Sequence, residues 1–264
     1  MTDSGIIRPM KTDRRPIRDR VLAGETLFGL FLDLDSPASA ELAGRAGYDW
    51  LIVDLEHGSA TEATLLAHLY AIETTGASGL VRPQSGERIR IGRALDLGAA
   101  GIMVPRLESA AEAREALSFL RYPPDGVRGV ATRTRGAGLG SRTHAEIRAI
   151  NGAILGIVQI ESRGALAEAD VIAAIDGVDV LFVGPADLSH SLGIPGRFFD
   201  PVYIDALDVV VAAARAHGKA AGILLYDTAA VPAYLDRGFT FIGIGADGAF
   251  VADTAARALA AVRG

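Results

Sequence analysis

Eight short apolar runs recur along this chain with helix-patterned stretches between them, and that alternation constrains its fold more than any other feature. The runs are Leu27–Leu32, Trp50–Val53, Gly79–Val81 and Gly101–Val104, then Leu155–Ile160, Val180–Val183, Ala220–Leu224 and Phe239–Ile244. Between them lie Ala/Leu/Arg-rich stretches with helical spacing, such as Ser109–Leu120, Ser162–Ile175 and Tyr203–His217. Continuous apolar strands imply a parallel sheet buried on both faces. Several runs follow a helix-ending glycine (Gly47, Gly98, Gly177, Gly218, Gly238), the residue a helix C-terminus favours. Eight strand–helix units in 264 residues predict a closed (β/α)8 TIM barrel over a doubly wound sheet. The barrel is expected over residues 23–264, preceded by a polar N-terminal arm at 1–22.

Composition removes several function classes. The net charge of −6 offers no basic footprint for nucleic acid. With no cysteine, disulfides, thiolate nucleophiles and iron–sulfur clusters are excluded. No apolar run is long enough to span a bilayer, and the Arg-containing stretch Met1–Arg20 lacks the apolar core of a signal peptide. A soluble, cytoplasmic protein is expected. The only lysines are Lys11 and Lys219. Lys11 falls in the arm and Lys219 at the start of a predicted strand, so neither is placed for Schiff-base chemistry at an active mouth. Carbonyl chemistry here would need electrophilic help from a metal.

In a barrel the active mouth is built at the C-terminal ends of the strands. The second run ends in Asp54-Leu55-Glu56-His57-Gly58 and the third in Arg82-Pro83. The fifth carries Gln159 and ends in Glu161, and the sixth leads into Gly184-Pro185-Ala186-Asp187. Glu161 and Asp187, on adjacent strand ends, are hard oxygen ligands suited to Mg²⁺ or Mn²⁺. Both also precede helical patterns and could be N-caps. His57, beside two acids, is a proton-transfer candidate, and Arg82 a substrate-binding cation. Asp54 and Glu56 could support metal-bound waters or simply cap the turn. The Gly184–Asp187 turn opens a helix with proline well placed, so amides near Gly184, Ala186 and Asp187 could receive a substrate carboxylate.

One segment breaks the rhythm. From Tyr122 to Arg142 the chain is too glycine-rich for a helix, and it is expected on the active side of the fourth strand. Arg133 and Arg135 could there receive an anionic substrate end, or the segment could be a solvated loop or subunit contact.

These residues resemble the HpcH/HpaI family of class II, metal-dependent pyruvate aldolases. The likeness runs from about Leu27 to the C-terminus. It is carried by Gly47-Tyr48-Asp49-Trp50 through Asp54-x-Glu56-His57, by Val81-Arg82-Pro83 and by Gly101-Ile102-Met103-Val104-Pro105. Arg121-Tyr122-Pro123-Pro124 with Arg128-Gly129-Val130, Gln159-Ile160-Glu161 and Gly184-Pro185-Ala186-Asp187-Leu188-Ser189 complete it. The resemblance implies a barrel that exchanges its last helix between subunits of a homotrimer or homohexamer. It implies that Glu161 and Asp187 bind Mg²⁺, Mn²⁺ or Co²⁺, that Gln159 lines the site, and that Arg82 contacts the keto oxygen. His57 would belong to the proton-transfer machinery, and Asp96 matches the acid coupled to it. Because Asp96 falls at the bottom of its own barrel, a neighbouring subunit would have to supply it. The departures lie at Phe31-Leu32-Asp33-Leu34-Asp35, where an aromatic Trp and small polar residues are usual, and in the Thr132–Gly140 loop.

The expected reaction is reversible cleavage of a 4-hydroxy-2-oxo acid to pyruvate and an aldehyde, with oxaloacetate decarboxylation as a side activity. A CoA-ester lyase of the malyl- or citryl-CoA type is the alternative enzyme; it would need a basic surface, for which Arg133–Arg142 is the candidate. A barrel kept for binding or assembly is the non-catalytic alternative.

Overall fold

The computed structural model describes residues 15–263; Lys11 and most of the arm lie outside them. Eight parallel strands close into a barrel in sequence order. They are β1 (Leu27–Leu32), β2 (Trp50–Asp54), β3 (Ser78–Arg82), β4 (Gly101–Val104), β5 (Leu155–Ile160), β6 (Val180–Val183), β7 (Ala220–Leu225) and β8 (Phe239–Ala246). The helices are α1 (Ile17–Leu22), α2 (Pro37–Ala46), α3 (Glu62–Glu73), α4 (Arg88–Asp96), α5 (Ala110–Ser118) and α6 (His144–Ala149). Then follow α7 (Arg163–Ala167), α8 (Ala169–Ala173), α9 (Pro185–Ser191), α10 (Pro201–Ala216), α11 (Val231–Arg237) and α12 (Asp247–Arg263). The (β/α)8 expectation therefore holds.

Strand alternation divides the core in two. Side chains such as Leu51, Val53, Val158 and Ile160 pack outward against the helices. Trp50, Ile52, Leu80, Met103, Ile157 and Phe182 fill the barrel interior. There Trp50 stacks on Phe241 at 4.4 Å between ring centroids, with Phe31 and Phe182 edge-on to it. Gly29 makes this possible: a Cβ at that position would lie 1.9 Å from the Trp50 ring. Helix α1 closes the N-terminal end of the barrel. Its Ile17 and Val21 join the interior cluster, and Arg18 Nε donates to both oxygens of buried Asp179 at 3.0 and 2.9 Å. Residues 17–22 thus pack as part of the barrel's floor.

Two local expectations are corrected. The stretch Ser162–Ile175 is two short helices, broken at Glu168, whose carboxylate accepts from Ala110 N–H at 2.6 Å. The glycine-rich segment lies at the opposite end of the barrel from the active mouth. Helix α5 carries the chain back to the N-terminal ends of the strands before the segment begins. There Gly136 N–H donates to Asp96 O and Arg135 Nη1 to Leu97 O, at the end of α4. Arg133 and Arg135 therefore do not face their own subunit's mouth.

Helix α12 stands apart. From Val251 to Arg263 every residue is exposed, including Val251, Leu259 and Val262.

Candidate active site

The inward columns of the strands turn polar at their C-terminal ends. On β2 the column Trp50, Ile52 is continued by Asp54, on β3 Leu80 by Arg82, and on β5 Leu155, Ile157 by Gln159 and then Glu161. The register places Asp54 beside Arg82, which explains their two-pronged pair: Arg82 Nε to Asp54 Oδ1 at 2.9 Å and Nη2 to Oδ2 at 2.5 Å. Asp54 also accepts from the N–H groups of Glu56 and His57 at 3.0 and 3.3 Å. One carboxylate thus fixes both the arginine and the turn bearing the histidine. It anchors the arginine and caps the turn.

Arg82 lies 5.2 Å over the Phe31 ring. Its Nε is 3.4 Å from Glu56, and Nη1 reaches Gln159 Oε1 at 3.5 Å. The Gln159 amide in turn donates to Glu161 Oε2 at 3.0 Å. The other Glu161 oxygen accepts from Arg106 N–H at 2.7 Å, a link the sequence did not reveal. It depends on Arg106 adopting φ 56°, a left-handed backbone that a non-glycine residue seldom takes. Gly184 packs directly on this carboxylate; a Cβ there would sit 2.5 Å from Glu161 Oε2. Asp187 is in the first turn of α9 on an exposed rim, and its side chain makes no hydrogen bond or ion pair among the described residues. Leu188 N–H donates to Gly184 O at 2.9 Å, which leaves Ala186 and Asp187 at the open start of the helix.

Glu161 is buried, and its carboxyl is pushed up to about 7. Burial is the main cause; the Arg106 amide opposes it, and the nearby charges of Asp187 and Glu56 add to it. Glu56 is also raised, by burial first, against the pull of Arg82 and His57. His57 is exposed, its Nε2 3.7 Å from Glu56. Arg82, Gln159, Glu161, Asp187 and His57 therefore share one rim, as the strand ends required. Asp96 does not: it ends α4 at the other end of the barrel and pairs with Arg128 Nη2 at 3.1 Å. Lys219 precedes β7 at that same far end.

A second acid pair was missed. Asp33 follows β1, in the inward column of Gly29 and Phe31, and Asp247 follows β8. Asp247 accepts from the N–H groups of Asp33 and Leu34 at 2.9 and 3.2 Å and from Ser39 Oγ at 2.6 Å. Asp33 accepts from Gly248 N–H at 2.9 Å. An apolar run ending in a carboxylate at Ala246-Asp247 was the available signal, the same one that marked Glu161.

Fold and rim together define a barrel enzyme with an acid-and-arginine mouth for an anionic carbonyl substrate. The chain matches the family described as HpcH/HpaI aldolase/citrate lyase over residues 27–254, and it belongs to that family. It is 38% identical over 248 residues to 4-hydroxy-2-oxo-heptane-1,7-dioate aldolase of Salmonella arizonae, covering 94% of each chain. An HpcH/HpaI aldolase/citrate lyase family protein from Burkholderia cenocepacia J2315 superposes with a TM-score of 0.89 at 38% identity, covering 94% of this chain and 99% of that one. The HpcH/HpaI aldolase from Desulfitobacterium hafniense DCB-2 does so at 0.88 and 30%, covering 97% of each. The chain is a carbon–carbon lyase of the aldolase type.

Proposed function

We propose that this enzyme cleaves 4-hydroxy-2-oxo acids reversibly to pyruvate and an aldehyde, with a divalent cation held by Glu161 and Asp187. The observation that carries the reading is the continuous chain from Arg82 through Gln159 to Glu161, with Asp187 near Glu161 at the end of the neighbouring strand. Among the described residues no group of three or more His, Cys, Asp or Glu could hold a metal. Two carboxylates fit a hard cation whose remaining positions go to water and substrate oxygens. The fit is also electrostatic. Glu161 keeps its proton to about pH 7 chiefly because it is buried, with the charges of Asp187 and Glu56 adding to the effect, and a cation would favour its ionised form. Mg²⁺, Mn²⁺ and Co²⁺ all suit such a site.

A bound divalent cation would supply Lewis-acid polarisation of the 2-oxo group. Arg82, held by Asp54 and lying over Phe31, offers its Nη groups to the oxygen on which negative charge develops. Gln159 orients both Arg82 and Glu161. Amides at Ala186 and Asp187 can receive the substrate carboxylate, with Gly184 leaving room beside Glu161. In cleavage, the C4 hydroxyl loses its proton, the C3–C4 bond breaks, and its electron pair passes into the pyruvate enolate. His57, beside Glu56, serves the proton transfer. The same enolate would form on decarboxylation of oxaloacetate.

We further infer a homotrimer or homohexamer. The uncovered apolar side chains of α12 support exchange of that helix between copies. Asp96 would then reach a neighbour's His57. The CoA-ester alternative would need the Arg133–Arg142 segment, which lies away from its own barrel's mouth and beside Asp96.

The decisive experiment is proton NMR of pyruvate in D2O with metal-loaded enzyme, followed by addition of aldehydes. Deuterium should enter the methyl group, adducts should form, and both should cease with EDTA. Undiminished exchange after complete metal removal overturns the reading.

A further inference from the structure

The acids at the β8–β1 side of the mouth have no part in the pyruvate half, and their position suggests a second task. We propose that Asp33 is a specificity-determining residue that directs the aldolase toward neutral, hydroxylated aldehydes and against anionic ones, an inference that rests on the aldolase reading above. Strand alternation sets Asp33 one step above Phe31, the ring that Arg82 covers. Its backbone lines the turn that carries His57: Ser59 N–H donates to Asp33 O at 2.8 Å, and a Cβ on Gly58 would sit 3.2 Å from Asp33 Cα. Asp33 therefore lies next to the catalytic turn, across the mouth from Glu161.

Acids dominate this corner, and its arginine and histidine already face carboxylates. Asp247 of α12 packs on Asp33 and spends its oxygens on amides and on Ser39. From the β2 turn come Asp54, Glu56 and exposed His57, and from β3 comes Arg82, already paired with Asp54. After β7 stands Tyr226, an exposed ring whose hydroxyl feels Asp33, Arg82 and Asp54. No unpaired cation faces this corner among these residues. Asp33 also keeps its proton to about pH 6, by burial and by hydrogen bonding to Asp247. Above that pH its carboxylate is ionised and accepts a hydrogen bond, which suits a hydroxyl group. A carboxylate brought to the same place meets like charge in a partly desolvated pocket. The heptane-1,7-dioate in the name of the Salmonella arizonae relative carries a carboxylate at each end. This mouth is built against the second one.

The test compares kcat/KM for glycolaldehyde and D-glyceraldehyde with that for succinate semialdehyde, at pH 8 and fixed pyruvate. The wild type should prefer the neutral hydroxyaldehydes. In Asp33→Asn, which keeps an acceptor for Gly248 N–H, the preference should move toward the anionic aldehyde by about tenfold, the effect of removing one like charge. If that variant does not fold, the wild type still decides: rising salt should speed the reaction of succinate semialdehyde and leave that of glycolaldehyde flat. A ratio unchanged within twofold in Asp33→Asn, a flat salt response for the anion, or a wild-type preference for succinate semialdehyde overturns the proposal. Methyl exchange of pyruvate in D2O is read in parallel without aldehyde. Its presence with an unchanged ratio sinks this inference alone, and its absence sinks the aldolase reading as well.

Discussion

Replacing Glu161 with Gln should make the metal-free protein more stable at alkaline pH while removing its response to metal. An ordinary glutamate titrates near 4.5, and Glu161 near 7. Holding the proton that much longer in the folded state means that ionising Glu161 there costs about 3 kcal/mol. The sign follows from proton binding. Below about pH 4.5 the carboxyl is protonated both folded and unfolded, and the penalty is absent. As pH rises toward 7 the unfolded chain releases its proton and the folded chain does not, so stability falls. Above 7 the whole penalty is present. The neutral amide of the Glu161→Gln variant would carry no such penalty, and its oxygen can still accept from Arg106 N–H. Urea denaturation in EDTA at pH 5 and pH 8.5 reads the difference. Relative to the wild type, the variant should gain about 2.5 kcal/mol between the two pH values. A divalent cation at 100 times its dissociation constant should stabilise the wild type by about 2.7 kcal/mol and the variant not at all. Parallel pH curves for the two proteins, or equal stabilisation by metal, would refute the claim that this carboxylate is buried and metal-binding.

Arg82→Ala should lower kcat by about 10²–10³ in a coupled pyruvate-release assay, and Arg82→Lys should rescue little, because an ammonium cannot make the two-pronged pair with Asp54. Near-normal turnover in either removes Arg82 from the chemistry. Gly29→Ala would force a Cβ to 1.9 Å from Trp50, so it should cost at least about 3 kcal/mol, the upper end of ordinary overpacking, or yield no folded protein on expression. His57→Ala and Asp96→Ala should each be inactive alone, yet activity should return when the two are co-refolded, since some mouths would then pair an intact histidine with a neighbour's intact acid. A monomeric variant with full activity would contradict that pairing.

The parts of this enzyme legible in its sequence are those fixed by short-range rules. Apolar runs between helical patterns located every strand to within two residues at either end, from Leu27 to Ala246. In the barrel, strand alternation turns Asp54, Arg82 and Gln159 inward, so their meeting at one rim needed only the assumption of parallel neighbours. What escaped depends on closure and on chain direction. Asp33 and Asp247 are 214 residues apart, and only the joining of β8 to β1 brings them together. The glycine-rich segment lies at the opposite end from the one expected, because the position of α5 before it decides which way the chain faces. The left-handed turn at Arg106 has no signal of its own, since the residue is not glycine.

The mouth is electrically divided, and the division separates two tasks. On the β3–β5–β6 side, Arg82 stands among carboxylates, and on the proposed reading a cation would offset their charge for an anionic substrate. On the β8–β1 side, Asp33 and Asp247 are already satisfied by amides, Ser39 and each other, so no ion is needed there and none of like charge is welcome. Substitutions at Asp33 can therefore alter which aldehyde is accepted without disturbing the link from Arg82 through Gln159 to Glu161. A barrel is suited to this arrangement, because neighbouring rim positions are held by different strands and each loop can change while the strands stay fixed.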